Sequence, residues 1–331
     1  VIETDTEIQE LNTKAQAYCR EINDVLDEVK KVIVGQSGVL DRLMISLITD
    51  GHVLLEGVPG LAKTLMIKTL SDALDTEFCR IQFTPDLLPA DIIGTKIYEQ
   101  KTTSFTTQKG PIFHNFILAD EINRAPPKVQ SALLEAMQER QVTIGGDTYL
   151  LDAPFLVLAT QNPLETEGTY RLPEAQIDRF IFKILIDYPS KSEEKIIIRR
   201  MTGDVHPDVR RMISESRIRE IQQFNRQIYA DETIEDYVTD IVDATRHPVD
   251  YGLDIGDLVE YGVSPRASIY LILAGKAHAI MNGRGYVIPE DVKAIAFDVL
   301  RHRILLSYEA EAEEVTTDQI IETILRTIRP P

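Results

Sequence analysis

A run of eight residues, Gly57-Val58-Pro59-Gly60-Leu61-Ala62-Lys63-Thr64, has the composition of a loop that holds phosphate. It follows the apolar run His52–Glu56 and precedes a helical pattern from Leu65 to Leu74, the strand–loop–helix order such a loop requires. Backbone N–H groups of the loop would wrap a β-phosphate, and the helix N-terminus would add partial positive charge. Lys63 would reach the β- and γ-phosphates of a nucleotide, and the Thr64 hydroxyl would ligate Mg²⁺. One position departs from the usual pattern. Ala62 stands where a glycine normally precedes the lysine, so the backbone there is expected at an angle that a Cβ tolerates.

A second group of residues completes the chemistry. Phe116-Ile117-Leu118-Ala119 reads as a buried strand that ends in Asp120-Glu121. Ligands of open α/β sheets lie outside the carboxyl ends of the strands. Asp120 would hold Mg²⁺ through its water shell, because that ion takes few carboxylates directly. Glu121 would accept a proton from an attacking water. A further strand, residues 155–160, leads into Gln161-Asn162-Pro163. The Asn162 amide there could orient water or touch a γ-phosphate, or it could simply be the turn residue before a proline.

These groups need a parallel sheet to position them. Short, nearly continuous apolar runs recur at 53–55, 81–83, 116–119, 155–159 and 180–185, as strands covered on both faces do. Helical patterns alternate with them, which gives an α/β core. Two stretches break the rhythm, 94–110 and 141–151, the latter around Gly145-Gly146-Asp147; both read as inserted β-hairpins. Ahead of the core, Ile8, Leu11, Ala15, Tyr18, Ile22, Val25 and Val29 form one apolar stripe on a long helix. Beyond Asp187-Tyr188-Pro189-Ser190 the pattern becomes helical, at 191–202, 214–229, 232–246, 265–282, 289–302 and 317–328. The expected division is therefore 1–188 for an α/β domain with its N-terminal helix and 189–331 for an all-helical domain.

Composition removes other classes. The 331 residues carry a formal net charge of −18, which opposes binding to nucleic acid. Cys19 and Cys79 form no CxxC pair, and the six histidines are scattered, so neither a disulfide framework nor a zinc site is expected. No run approaches the length of a membrane span. Val1-Ile2-Glu3-Thr4-Asp5 lacks the features of an export signal, and a cytoplasmic protein is expected.

The ordered set GVPGLAKT, ILADEINRAPPKVQSALLEAMQE, LATQNP, LPEAQIDRF and VSPRAS resembles the MoxR group of AAA+ ATPases across roughly residues 30–310. Ala62 is a common variant in that group. The resemblance implies a P-loop AAA+ core with five parallel strands in the order 5-1-4-3-2, an all-α C-terminal lid and a homo-oligomeric ring, usually a hexamer. It matches Asn162 to the sensor-1 amide and Arg179 to an arginine finger offered to a neighbouring subunit, with Arg171 as second candidate. It also matches Arg266 to the sensor-2 arginine. Arg266 lies behind the Ser264-Pro265 helix start, where the N-terminus already favours anions. Val34-Gly35-Gln36 matches the segment that holds adenine, and Leu65 closes the nucleotide-binding stretch. ATP hydrolysis would then drive chaperone-like remodelling or assembly of a partner protein, with cofactor insertion and partners bearing a von Willebrand A-type domain as family associations. The alternatives are an ATPase subunit of a metal chelatase, a DNA-translocating motor and a nucleotide-binding scaffold without turnover. The hairpin Gln141–Leu151 contains no Lys or Arg, which weighs against the DNA motor.

Overall fold

The computed structural model describes residues 5–58, 60–163, 168–203 and 207–331. Helices α1 (Asp5–Lys30) and α2 (Ser37–Ile48) lead into β1 (Val53–Glu56), a loop, and α3 (Lys63–Ala73). Then come β2 (Phe78–Gln82), α4 (Pro89–Ile93) and the hairpin β3 (Gly94–Glu99) and β4 (Ser104–Lys109). Strand β5 (Phe116–Asp120) precedes α5 (Pro127–Glu139), which runs into the second hairpin, β6 (Gln141–Ile144) and β7 (Asp147–Leu150). Strand β8 (Leu156–Gln161), the short α6 (Glu174–Ile177) and β9 (Phe182–Leu185) complete the α/β part. Beyond it lie α7 (Lys191–Met201), α8 (Glu215–Gln227), α9 (Glu232–Ala244), β10 (Val259–Tyr261), α10 (Pro265–Met281), α11 (Pro289–Leu300), β11 (Leu305–Leu306), α12 (Tyr308–Ala312) and α13 (Thr317–Thr327).

The main sheet runs β2-β5-β8-β1-β9 and every pairing is parallel, the order implied by the family resemblance. Alternation along each strand divides the core in two. Val53, Leu55, Phe116, Leu118, Leu156 and Leu158 face one cluster, which continues through α1, α2 and α3 into the helical domain at Ile221, Ile241, Leu271, Ile295 and Ile321. Leu54, Ile117, Ala119, Val157 and Ala159 face the other, which is closed by α5 and the second hairpin. Helix α1 contributes Ala15, Ile22, Val25 and Val29, all fully buried, so its stripe packs as its spacing requires.

Both inserted hairpins form. The second turns through Gly145 and Gly146 at φ 57° and 94°, a conformation that glycine adopts at little cost. The hairpins are joined by Lys96 Nζ to Asp147 Oδ2 at 2.8 Å and by the Thr107 and Tyr149 hydroxyls at 2.8 Å. In the helical domain, Ser190, Ser214, Asp231, Ser264, Ser307 and Thr316 each cap the helix that follows with a side-chain oxygen.

Three details depart from the periodicity. Strand β2 begins at Phe78 rather than Ile81, because an edge strand with polar outward residues has no continuous apolar signature. Phe180 and Ile181 are buried but precede β9. The helical domain also holds one antiparallel pair, β10 with β11, too short for alternation to reveal. Among the described residues no helix is long and apolar enough to cross a membrane, and no cluster of His, Cys, Asp and Glu suited to a metal ion occurs.

One buried ionic group staples this domain. Asp291 is fully buried and accepts from Arg284 Nη1 at 2.7 Å and Nη2 at 2.6 Å, with His278 Nδ1 at 2.6 Å. Burial opposes the Asp291 charge, but the Arg284, His278 and Ile288 hydrogen bonds outweigh it and hold the carboxyl below its ordinary value. A depressed carboxylate stabilises the fold above the unfolded pKa and loses that contribution as pH falls through the folded one. Stability measured by urea denaturation is therefore expected to decline below about pH 4. Asp291→Asn is expected to cost about 3 kcal/mol at pH 7, because it strands the Arg284 charge, and to flatten the acid decline.

Candidate functional site

The register sets out the site. Glu56 ends β1 beside Gln161 of β8, and Asp120 ends β5 beside Gln82 of β2. Gly57, Asp120, Glu121 and Asn162 thus gather at the carboxyl edge of the sheet, with α3 starting at Lys63 just behind. Gly57 packs so tightly on β9 that an added Cβ would sit 2.8 Å from the Ile186 carbonyl oxygen. Gly60 takes φ +88°. Ala62 does not keep to an ordinary angle, contrary to expectation: it lies in the left-handed region at φ 54° and ψ 26°. The turn that aims α3 at the loop imposes this, at roughly 1 kcal/mol for a residue with a Cβ. Pro59 lies outside the described residues, and Val58 packs partly buried against the first core cluster.

Lys63 Nζ donates to the Gly57 carbonyl at 2.6 Å, which folds the ammonium back over the loop. Burial draws the Lys63 pKa below its ordinary value, while Asp120, Glu121 and Glu56 pull the other way. Those acids act on Lys63 through charge alone, since each is ion-paired to another cation: Asp120 to Arg80, Glu121 to Arg124 and Glu56 to Lys183. Thr64 and Leu65 occupy the first turn of α3, half-buried.

The two acids are tied down by residues that sequence reasoning missed. Asp120 Oδ2 accepts from Arg80 Nε at 3.0 Å and Nη2 at 2.6 Å, and its Oδ1 accepts from the Thr160 hydroxyl at 2.6 Å. The same hydroxyl accepts the Glu121 backbone N–H at 2.8 Å. Glu121 itself is left-handed, at φ 57°, and its Oε2 accepts from Gln82 Nε2 at 2.8 Å and Arg124 Nη1 at 3.0 Å. Arg80 and Gln82 sit two apart on β2 with buried Ile81 between them. That alternation was the available signal, hidden because only the apolar residues were read. The loop after Glu121 is held by fully buried Gln130, whose Nε2 donates to the carbonyls of Ile122, Ala125 and Tyr170.

Beside the loop, a cavity of about 120 Å³ is lined by Val34, Gln36, Leu61, Leu65, Pro189 and Arg200, among others. Gln36 Nε2 donates to the Asp187 carbonyl at 2.8 Å. Gly35 abuts Glu193, which an added Cβ would meet at 2.5 Å. Arg200 Nη1 donates to the carbonyls of Lys31 at 2.6 Å and Val32 at 3.2 Å. A mostly apolar slot with a few polar groups suits a flat heterocycle.

The arginines stand elsewhere. Phe182 pairs with Val53 at the start of β1, so Arg179, three residues earlier, belongs to the amino edge of the sheet. Arg179 and Arg266 line one cavity of about 200 Å³ with Asp50, Gly51, His52 and Met137. Arg179 Nη1 donates to the Leu134 carbonyl at 2.8 Å, and its Nε is buried without a hydrogen-bond partner. Arg266 Nη1 lies 3.6 Å from Asp178 Oδ2. Arg171 is exposed and does not line this cavity. The structure thus brings Lys63, Thr64, Asp120, Glu121 and Asn162 to one edge and Arg179 and Arg266 to the other.

With this geometry in place, relatives become informative. The family model described as "ATPase family associated with various cellular activities (AAA)" matches residues 52–182, and an AAA lid domain matches 254–324. Chaperone MoxR1 of Mycobacterium tuberculosis is 50% identical over 92% of this chain and 81% of its own length. Protein MoxR of Paracoccus denitrificans is 33% identical over 91% of this chain and 93% of its own. The chain belongs to the MoxR family of AAA+ ATPases. A crystal structure from Cytophaga hutchinsonii superposes on this MoxR-family chain with a TM-score of 0.92 and 52% identity, covering 98% of this chain and 99% of the other.

Thr160 offers the direct test of how the acids are held. Thr160→Val keeps the shape but leaves the Glu121 N–H without its acceptor, at an expected cost of about 1–3 kcal/mol in chemical denaturation. Thr160→Ser restores the hydroxyl and should return stability to near the parent value.

Proposed function

We propose that the chain hydrolyses ATP to ADP and phosphate with Mg²⁺, and that copies of it share their sites in a ring, six-membered as in most of the family. The single observation that carries this reading is the split of the catalytic set across the sheet. Four residues of β1 separate the two edges, roughly 13 Å of strand. Arg179 and Arg266 therefore lie on the far side of the sheet from their own phosphate loop, and the nucleotide within their reach is that of an adjoining copy. The working output is chaperone-like remodelling of a partner protein, a reading supported by the name of the Mycobacterium relative. A partner with a von Willebrand A-type domain, and a cytoplasmic setting, remain parts of the same proposal. So does a division into residues 1–188 and 189–331.

The residues fit the ligands. Asp120 and Thr64 offer oxygen donors, which a hard cation prefers, and a cation at Asp120 would compete with Arg80 for Oδ2. Mg²⁺, when bound, would supply charge neutralisation to the phosphates. Lys63 and the loop N–H groups hold the same phosphates, and the cavity at Val34–Gln36 takes the adenine. A water oxygen then attacks the γ-phosphorus as the bond to the β–γ bridging oxygen breaks. ADP leaves with that electron pair, and Glu121 takes the proton. Asn162 orients the water, while Gln82 and Arg124 fix the Glu121 carboxylate. Arg179 and Arg266 of the adjoining copy neutralise the charge that develops.

Glu121→Gln is expected to bind ATP normally and to lose turnover by about 10²–10⁴-fold. Undiminished phosphate release would remove Glu121 as the base. Arg179→Ala is expected to lose about 10³-fold or more, and mixing it with Lys63→Ala subunits should restore part of the activity. No recovery at any ratio, with rings still forming, would argue against a shared site.

A further inference from the structure

The four residues before β9 are held in an unusual way. Every backbone carbonyl from Asp178 to Ile181 accepts from a side chain of the helical domain. Arg303 Nη2 donates to the carbonyls of Asp178 at 2.9 Å and Phe180 at 2.6 Å, and Nη1 to that of Ile181 at 3.3 Å. The Tyr270 hydroxyl donates to the Arg179 carbonyl at 3.3 Å, and His302 Nε2–H to that of Phe180 at 3.0 Å. The Asp178 carboxylate answers in kind. It accepts from Arg303 Nε at 2.8 Å and from the Ser264 hydroxyl at 2.9 Å on both oxygens, and it lies 3.6 Å from Arg266.

This arrangement exceeds what packing needs. The Arg303 side chain is 1% exposed and aims all three guanidinium nitrogens at this segment and at the Val299 carbonyl near the end of α11. Its guanidinium also stacks on Tyr270, 5.0 Å from the ring centroid. Tyr270 and Arg266 are one turn apart on α10, and both line the cavity that Arg179 enters. Arg179 arrives on the segment before β9 and Arg266 on the helical domain, yet Asp178, next to Arg179 in the chain, bonds through its carboxylate to Ser264 at the head of Arg266's helix.

We propose that Asp178 and Arg303 are positioning residues that mount Arg179 and Arg266 as one body, so that the helical domain fixes the pair of cations presented to the adjoining subunit. This rests on the reading that those arginines serve another copy's nucleotide. A misplaced pair would leave each subunit's own phosphate loop intact and slow only its neighbour.

Asp178→Asn tests it in the assembled protein. The expected result is a fall in kcat of roughly 10–100-fold with ATP affinity per subunit near the parent value, in a protein whose thermal unfolding midpoint falls because the buried Arg303 charge loses its carboxylate. Mixing Asp178→Asn with Lys63→Ala subunits should restore turnover, because the first supplies a working phosphate loop and the second a correctly held arginine pair. An unchanged kcat overturns the proposal. So does failure of that mixture to recover when the Arg179→Ala with Lys63→Ala mixture does recover. If the Arg179 mixture itself gives nothing, the shared-site reading falls, and this inference with it. Should Asp178→Asn not fold, Ser264→Gly keeps the start of α10 while removing the hydroxyl from both Asp178 oxygens. A loss of about three- to tenfold in kcat with the same rescue is then expected, and an unchanged kcat overturns the proposal.

Discussion

Parallel strands share a direction, and that polarity governs everything else in this molecule. When five strands run the same way, all their carboxyl ends meet at one edge and all their amino ends at the other. The phosphate loop, the acids Asp120 and Glu121 and the Asn162 amide come from three different stretches of sequence, and register alone gathers them at the carboxyl edge. The same register sends Arg179 to the opposite edge through its position before β9. No side-chain rearrangement within one chain undoes that, because a fully extended arginine spans only part of the sheet's depth. The divided site we propose would thus be the direct consequence of strand direction, and assembly into a ring the way its chemistry would be completed.

The carboxyl edge is also where the fold tolerates strain. Ala62 and Glu121 both occupy left-handed backbone, a region that residues with a Cβ normally avoid. At Glu121 the surroundings over-determine the conformation. Thr160 holds its N–H, Gln82 and Arg124 hold its carboxylate, and Thr160 and Arg80 hold Asp120 beside it. Strained residues at such sites persist when their neighbours fix them. The result is a pair of acids aimed before any nucleotide arrives, which is the form of preorganisation that electrostatic catalysis needs.

Much of this was legible in the residues. The loop Gly57–Thr64 and the strand ending in Asp120-Glu121 declare themselves, since continuous apolar runs mark buried parallel strands and the punctuation between them marks the turns. The start of α10 was legible for the same reason: Ser264 before Pro265 is a cap residue by type and caps the helix in the structure. Arg80, Gln82 and Thr160 were not legible. Each lies on a strand where polar residues read as surface, and their roles depend on which strand lies alongside. Pairing of β2 with β5 and of β5 with β8 joins residues 38 to 40 positions apart, and nothing local encodes it. Ala62 was misjudged because propensity describes an isolated residue, whereas the turn into α3 dictates the angle. The separation of Arg266 from its own loop escaped for a broader reason. Motifs say which residues cooperate, but only topology says whether they do so within one chain.

The joint at Asp178 bears on how motion could pass through such an assembly. Pulling the helical domain away from the segment before β9 would strip four carbonyls and one carboxylate of their partners at once. Water would replace those partners, so each hydrogen bond is worth a net ~0.5–1.5 kcal/mol, and together they amount to a sizeable part of the stability of a typical domain. The first core cluster adds a second tie, since it runs unbroken from the sheet into α8, α9, α10 and α11. A hinge at this point would therefore have to break both. In the proposed ring, the cheaper motion would displace sheet and helical domain together against an adjoining subunit, carrying the two arginines toward or away from its phosphate as a unit. In that arrangement the contact between subunits, rather than a lid swinging within one chain, is where nucleotide state would be converted into movement.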